Sequence, residues 1–185
     1  MKKYEIVYAD PPWKCDPIRT GKDKGRQFDH YKTMKTKDIC KLNFNVFDDN
    51  CVLFLWATNT FLPDALKVID SWGFKYHCCV VWNKKKGITM RGFHRTVEFL
   101  LFSYKGKFPD IWKGTPIPCL VESERLKHSE KPNIFRTMIV NKFGDLPRIE
   151  LFAREKTEGW DVWGNEVDSD IDLITEAQQD AELKD

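Results

Sequence analysis

The chain reads as an α/β domain with a mostly parallel sheet and flanking helices, and three stretches point that way. Residues 3–9, Lys-Tyr-Glu-Ile-Val-Tyr-Ala, form a short β-branched and aromatic run that ends abruptly at Asp10-Pro11-Pro12-Trp13. Residues 51–56, Cys-Val-Leu-Phe-Leu-Trp, are apolar at every position, as in a strand buried on both faces. Residues 62–72 follow with Ala65, Leu66, Ile69 and Trp72 at helical spacing and Gly73 at the end. Strand, helix, strand in that order argues for parallel βαβ units.

Further elements follow in sequence. Residues 14–37 are polar and lack periodicity, so they read as a long loop of the kind that is often functional. Thr36 to Leu42 reads as a short helix. Residues 76–82 and 96–104 read as strands, with Lys105-Gly106 as a turn after the second. Between them, residues 83–95 are basic and glycine-dotted, and read as a second substrate loop. Residues 119–122 form a short strand. Residues 131–143 predict an amphipathic helix with Pro132 in its first turn and Ile134, Phe135, Met138 and Ile139 facing inward, stopped by Gly144. Residues 148–152 read as a strand, residues 159–166 as an aromatic loop, and the remainder as a surface helix or a disordered tail.

A length of 185 residues with 42% apolar and 14% aromatic side chains suits one globular domain with a full core. The expected organisation is a folded domain over residues 1–166 and an acidic tail over 167–185. That tail carries seven acids and one lysine, so the net charge of +2 leaves +8 on residues 1–166. Basic groups gather between Lys14 and Lys37 and again between Lys84 and Arg95, which favours a nucleic-acid partner. No apolar run reaches the ~18–20 residues of a membrane span, and the N-terminus does not read as a leader peptide. Six cysteines without a CxxC pair read as reduced thiols in a cytoplasmic protein and speak against a zinc site. No GxGxxG or P-loop lies between a strand and a helix, so a common dinucleotide or nucleotide-triphosphate site is not expected.

The chemistry concentrates in residues 10–13. Two prolines forbid both helix and ladder pairing, so the backbone leaves the sheet at its carboxyl edge, where open α/β sheets bind ligands. Asp10 and the Pro11 carbonyl can each accept an N–H of an exocyclic amine while Trp13 offers a stacking face. Acceptors out of the ring plane favour the pyramidal, nucleophilic nitrogen and stabilise its developing charge.

Seven short motifs in order resemble the adenine-N6 methyltransferase family that includes the catalytic subunit of the mRNA adenine methyltransferase and short prokaryotic and phage DNA enzymes. They are Asp10-Pro11-Pro12-Trp13, His30-Tyr31-Lys32-Thr33-Met34, Leu53-Phe54-Leu55-Trp56, Trp72-Gly73-Phe74, His128-Ser129-Glu130-Lys131-Pro132, Glu150-Leu151-Phe152-Ala153-Arg154, and Gly159-Trp160 with Trp163-Gly164-Asn165-Glu166. The resemblance implies a Rossmann-like fold with permuted motif order, S-adenosylmethionine as methyl donor, S-adenosylhomocysteine as product, and no metal. It implies that Asp10, Pro11, Pro12 and Trp13 carry catalysis. Asp10, Lys131, Glu150, Phe152, Arg154, Asn165 and Glu166 would bind the cofactor, with Lys131 on the methionine carboxylate. Trp13, His30 and Tyr31 would hold substrate, joined by the basic side chains Lys84, Lys85, Arg91 and Arg95. The compact form resembles the prokaryotic and phage members, so DNA is the expected polymer, with RNA or a silent partner-subunit role as alternatives. A homo- or heterodimer is expected by analogy alone. Where relatives carry a His-Glu pair this chain has Val97-Glu98, so only Glu98 matches.

Overall fold

The computed structural model describes residues 2–14, 33–90, 92–109, 115–124 and 130–172. Among them are seven strands, β1 (Tyr4–Ala9), β2 (Phe47–Thr58), β3 (Lys75–Met90), β4 (Phe93–Lys105), β5 (Leu120–Glu122), β6 (Arg148–Leu151) and β7 (Asp161–Trp163). Three α-helices accompany them: α1 (Thr36–Cys40), α2 (Leu62–Ser71) and α3 (Ile134–Phe143). The strands form one sheet in the order β5-β3-β4-β2-β1-β6-β7. β1 lies parallel to β2 and β6, β6 to β7, and β3 to β5, whereas β4 runs antiparallel to both β2 and β3.

The mainly parallel α/β sheet therefore stands, with one strand reversed. The reversal follows from connectivity, because β3 ends at Met90 and β4 begins at Phe93, which leaves no room for a crossover helix. Residues 83–90 accordingly continue β3 and residues 93–95 open β4, where a loop is expected. The aromatic stretch at 159–166 contains β7, whose three residues are too few for a periodic signal.

Alternation along the strands divides the core between two faces. Val7, Ala9, Leu53 and Leu55 pack with Ile39 of α1 and with Ala65, Val68 and Ile69 of α2. Ile6, Tyr8, Val52, Phe54 and Trp56 pack with Phe135 and Ile139 of α3. Helices thus cover both faces, as the uninterrupted apolar run of β2 requires. The buried stripe of α2 is Ala65, Val68, Ile69 and Trp72, and Leu66 is exposed. The stripe of α3 is centred on Phe135 and Ile139, which leaves Ile134 exposed at its margin. α3 also begins at Ile134, two residues after Pro132, rather than at Lys131.

One ion pair is set inside the second face. Arg136 of α3 donates from Nε and Nη2 to the two oxygens of Glu150 on β6, at 2.8 and 2.7 Å. Its guanidinium lies 5.1 Å from the centre of the Tyr8 ring. Burial pushes the Glu150 carboxyl above the usual range even though Arg136 opposes that shift. The bidentate geometry fixes α3 against β6. Arg136→Met is expected to cost about 3–5 kcal/mol in urea unfolding at neutral pH, because a buried carboxylate loses its partner. The loss should shrink as pH falls and Glu150 takes up a proton, since its folded-state pKa is the raised one.

Candidate active site

The carboxyl edge of the sheet gathers residues far apart in sequence. Ala9 is in register with Leu55 of β2 and Leu151 of β6, and Leu151 with Trp163 of β7. Asp10, Phe152 and Gly164 therefore leave their strands side by side. Reversed β4 brings its early residues to the same edge, with Glu98 level with Thr58 and Trp82.

Residues 10–13 are fixed by backbone bonds. The Asp10 N–H donates to the Leu151 carbonyl at 3.3 Å, and the Trp13 N–H donates to the Pro11 carbonyl at 2.8 Å. Met34 closes the far side, its N–H on the Pro12 carbonyl and its own carbonyl receiving the Lys14 N–H. The Trp13 indole donates from Nε1 to the Trp56 carbonyl at 3.1 Å, and its ring stacks on Phe61 at 5.5 Å and 15°. One face of Trp13 is thus occupied by Phe61. The Pro11 carbonyl keeps one lone pair beyond the bond to Trp13.

A line of alternating charges crosses the site. Lys131 Nζ sits 2.8 Å from Asp10 Oδ2 and 3.3 Å from Glu98 Oε2. Lys84 Nζ reaches Glu98 Oε1 at 2.8 Å. The Lys131 ammonium also lies 5.2 Å from the centre of the Trp56 ring, and its side chain is only 10% exposed. Burial works against the charge on Lys131, but Asp10 and Glu98 outweigh it and hold the ammonium above the ordinary lysine range. Glu98 is likewise disfavoured by burial, and Lys131 and Lys84 together hold it below the ordinary glutamate range.

Other residues singled out from the sequence separate into groups. Phe152 follows β6 with φ 62°, unusual for a bulky residue, and packs edge-to-face on Trp163 at 5.3 Å. Arg154, Asn165 and Glu166 are exposed at the same edge. Glu150 points the other way, into its pair with Arg136, and its residue is 6% exposed. Lys84 is tied to Glu98, exposed Lys85 lies 3.6 Å from Glu122, and Arg95 donates to Thr60 Oγ1 at 2.7 Å. His30, Tyr31, Arg91 and His128-Ser129 lie outside the described residues, as do residues 173–185 of the acidic tail. In the sequence Glu98 stands out only as half of a family pair; the β4 reversal that brings it to Lys131 has no local signature.

A family model described as MT-A70 matches residues 4–166. The chain belongs to the MT-A70 family. It is 33% identical over 197 residues to the type II methyltransferase M.MunI of Mycoplasma sp, covering 97% of this chain and 84% of that protein. It is 26% identical over 193 residues to the human N(6)-adenosine-methyltransferase catalytic subunit METTL3, covering 97% of this chain but only 31% of that protein. The Drosophila melanogaster N(6)-adenosine-methyltransferase MT-A70-like protein is 25% identical, with 97% and 30% covered. The chain therefore spans most of the bacterial relative and about a third of the animal ones.

At the opposite edge of this MT-A70 domain lies a cleft of about 270 Å³, lined by Lys2, Asp145, Arg148, Gly159 and Asp161 among others. Its charges pair with one another, Lys2 with Asp161 at 2.6 Å and Arg148 with Asp145 at 2.8 Å. It holds none of the family's motif carboxylates. Among the described residues no helix is long and apolar enough to cross a membrane, and no group of three His, Cys, Asp or Glu side chains could hold a metal ion.

The site cluster gives a signed pH dependence. The contribution of Lys131 is complete below the ordinary lysine pKa and is lost as pH rises through its elevated value. That of Glu98 is complete above the ordinary glutamate pKa and is lost as pH falls through its depressed value. Stability from the cluster should therefore hold from about pH 5 to about pH 10. Urea midpoints between about pH 5 and pH 2 should fall less steeply for Glu98→Gln than for the unaltered protein.

Proposed function

We propose that this MT-A70 domain transfers a methyl group from S-adenosylmethionine to the N6 amino group of adenine in DNA. The observation that carries the reading is the Asp10 carboxylate at the end of β1, anchored by Lys131 and followed by the double-proline turn and Trp13. It is supported by the match to a bacterial type II methyltransferase over 84% of that protein's length. The N(6)-adenosine-methyltransferases among the relatives support the N6 position, and they make RNA the polymer against which DNA has to be tested.

The donor set at the carboxyl edge fits the cofactor. A methionine end carries both charges, and the edge offers an anion in Asp10 and a cation in Lys131. Two donors of the Lys131 ammonium go to Asp10 and Glu98, so its third would serve the methionine carboxylate. Asn165 and Glu166 supply an amide and a carboxylate of the kind ribose hydroxyls need, with Phe152 and Arg154 alongside. When bound, S-adenosylmethionine supplies the electrophilic methyl group. Glu150 would act behind this set, holding β6 and α3 together through Arg136.

The target adenine has to leave its stack to reach such an edge. Asp10 would accept one N–H of its amine and the remaining lone pair of the Pro11 carbonyl the other. The open face of Trp13 would hold the ring, backed by Phe61. Lys131 fixes the direction of the Asp10 carboxylate, so the acceptors are oriented before the nucleotide arrives. Asp10 need not be a strong base, because the amine becomes acidic only once methylated. An enzyme acting on DNA in this way would work in the cytoplasm.

With labelled S-adenosylmethionine and matched mixed-sequence DNA and RNA oligonucleotides, the protein is expected to yield N6-methyldeoxyadenosine, identified by mass spectrometry of the nucleosides. Asp10→Ala should lower the rate by about 10²- to 10³-fold. Methylated product from RNA alone would move the substrate assignment, and labelled product at another base or position would overturn the reading.

A further inference from the structure

The hairpin of β3 and β4 is longer than the sheet that supports it. Beyond Asn83 no described strand but β4 pairs with β3, and before Glu98 none but β3 pairs with β4. Residues 84–90 and 93–97 therefore form a two-stranded ribbon projecting past the carboxyl edge. Residues 84–97 contain five Lys and Arg and no Asp or Glu.

The ribbon is bent at its root. Four residues, 84–87, oppose the single Thr96, with Lys85 at φ 61°. At Gly87 a Cβ would lie 2.2 Å from the Arg95 carbonyl oxygen, so only glycine allows the two backbones this close. Beyond the bulge, Ile88 opposes Arg95, so Ile88, Phe93 and Arg95 share one face. Arg95 on that face donates to Thr60, next to the Phe61 that backs Trp13, so the face is turned toward the candidate active site.

This face carries an apolar tip in water. Phe93 is 74% exposed and Ile88 is 55% exposed. A two-stranded ribbon gains almost nothing from them, since neither is withdrawn from solvent. A large ring displayed among lysines and arginines suits one ligand chemistry, a polyanion carrying flat apolar faces. A single nucleic-acid strand or an opened duplex meets that description, with phosphates for the cations and bases for the ring. From Phe93 to Glu98 is five residues, about 17 Å of strand. The ring would therefore act a few nucleotides' length, at about 3.4 Å per base step, from the amine held at Asp10.

We infer that Phe93 is a base-stacking residue, laid by the basic ribbon on the nucleic acid a few nucleotides from the target adenine and holding the strand there. The inference deepens the proposed function and relies on it for the nature of the substrate. Phe93 makes no contact with the reacting amine: it positions the strand.

The test measures anisotropy and methyl transfer on a fluorescein-labelled mixed-sequence DNA 30-mer, single-stranded and duplex. The proteins are the unaltered full chain, Phe93→Ala, Phe93→Trp and Lys85→Ala with Lys86→Ala. Phe93→Ala should weaken binding and lower kcat/KM by about 5- to 150-fold, and Phe93→Trp should restore both to within a few-fold. The salt slope of log K should be unchanged in Phe93→Ala, because no charge is removed. In the double lysine variant it should flatten, for each phosphate that is no longer neutralised, by about 0.9 on the duplex and about 0.7 on the single strand. The inference is overturned if Phe93→Ala binds and methylates as the unaltered protein does, or if its salt slope flattens as well, which would mean a collapsed ribbon. It is also overturned if Phe93→Ala turns a dimer into a monomer in sedimentation, since the ring would then belong to an interface between copies. If the unaltered chain fails to bind or methylate nucleic acid at all, the proposed function itself falls, and the four-protein comparison separates the two failures.

Discussion

The Lys131 ammonium, held between Asp10 and Glu98, is the constraint that the site depends on. It joins three pieces of chain separated by more than a hundred positions at the extremes: the exit of β1, the early part of β4 and the segment leading into α3. A nearly buried ammonium is stable only with anionic partners, and removing either would leave charge without compensation. The chain therefore has to bring these strands to one edge. The fold, with β1 beside β2 and β4 reversed on the far side of β2, is what does so.

That reversal has a second consequence. A wholly parallel sheet ends its strands at one edge and begins them at the other, so its carboxyl edge is built from exits alone. Here β4 enters at the edge where β1, β2, β6 and β7 leave, and supplies Glu98 from inside a strand rather than from a loop. The β3–β4 hairpin, on the same side, becomes the ribbon that carries Phe93. The acidic Glu98 and the basic, aromatic ribbon thus come from a single β-hairpin, beside the turn after β1 that carries Asp10.

Much of this is legible in the sequence because it depends on local chemistry. The double proline after residues 3–9 marks the exit of β1, and the apolar run at 51–56 marks a strand covered on both faces. The carriers of the MT-A70 resemblance are legible for the same reason. Residues whose role depends on register are not. The Arg136–Glu150 pair links a helix to a strand across fourteen residues, and nothing in either segment names the partner. The ribbon reads as a loop because lysines and glycines at 83–95 mask an alternation that only pairing with 93–97 reveals. Helical spacing points Leu66 and Ile134 inward along with their neighbours, but the buried faces centre on Val68 in α2 and on Phe135 with Ile139 in α3 and leave both at the margin.

The most direct measurement of the central claim, that the carboxyl edge around Asp10 is the methyl-transfer site, is a crystal structure of the protein with S-adenosylhomocysteine. The account predicts ligand density at that edge, with the homocysteine end against Asp10 and Lys131 and the ribose beside Asn165 and Glu166. Density instead in the cleft between Lys2 and Arg148 at the opposite edge, with Asp10 and Lys131 untouched, would contradict it.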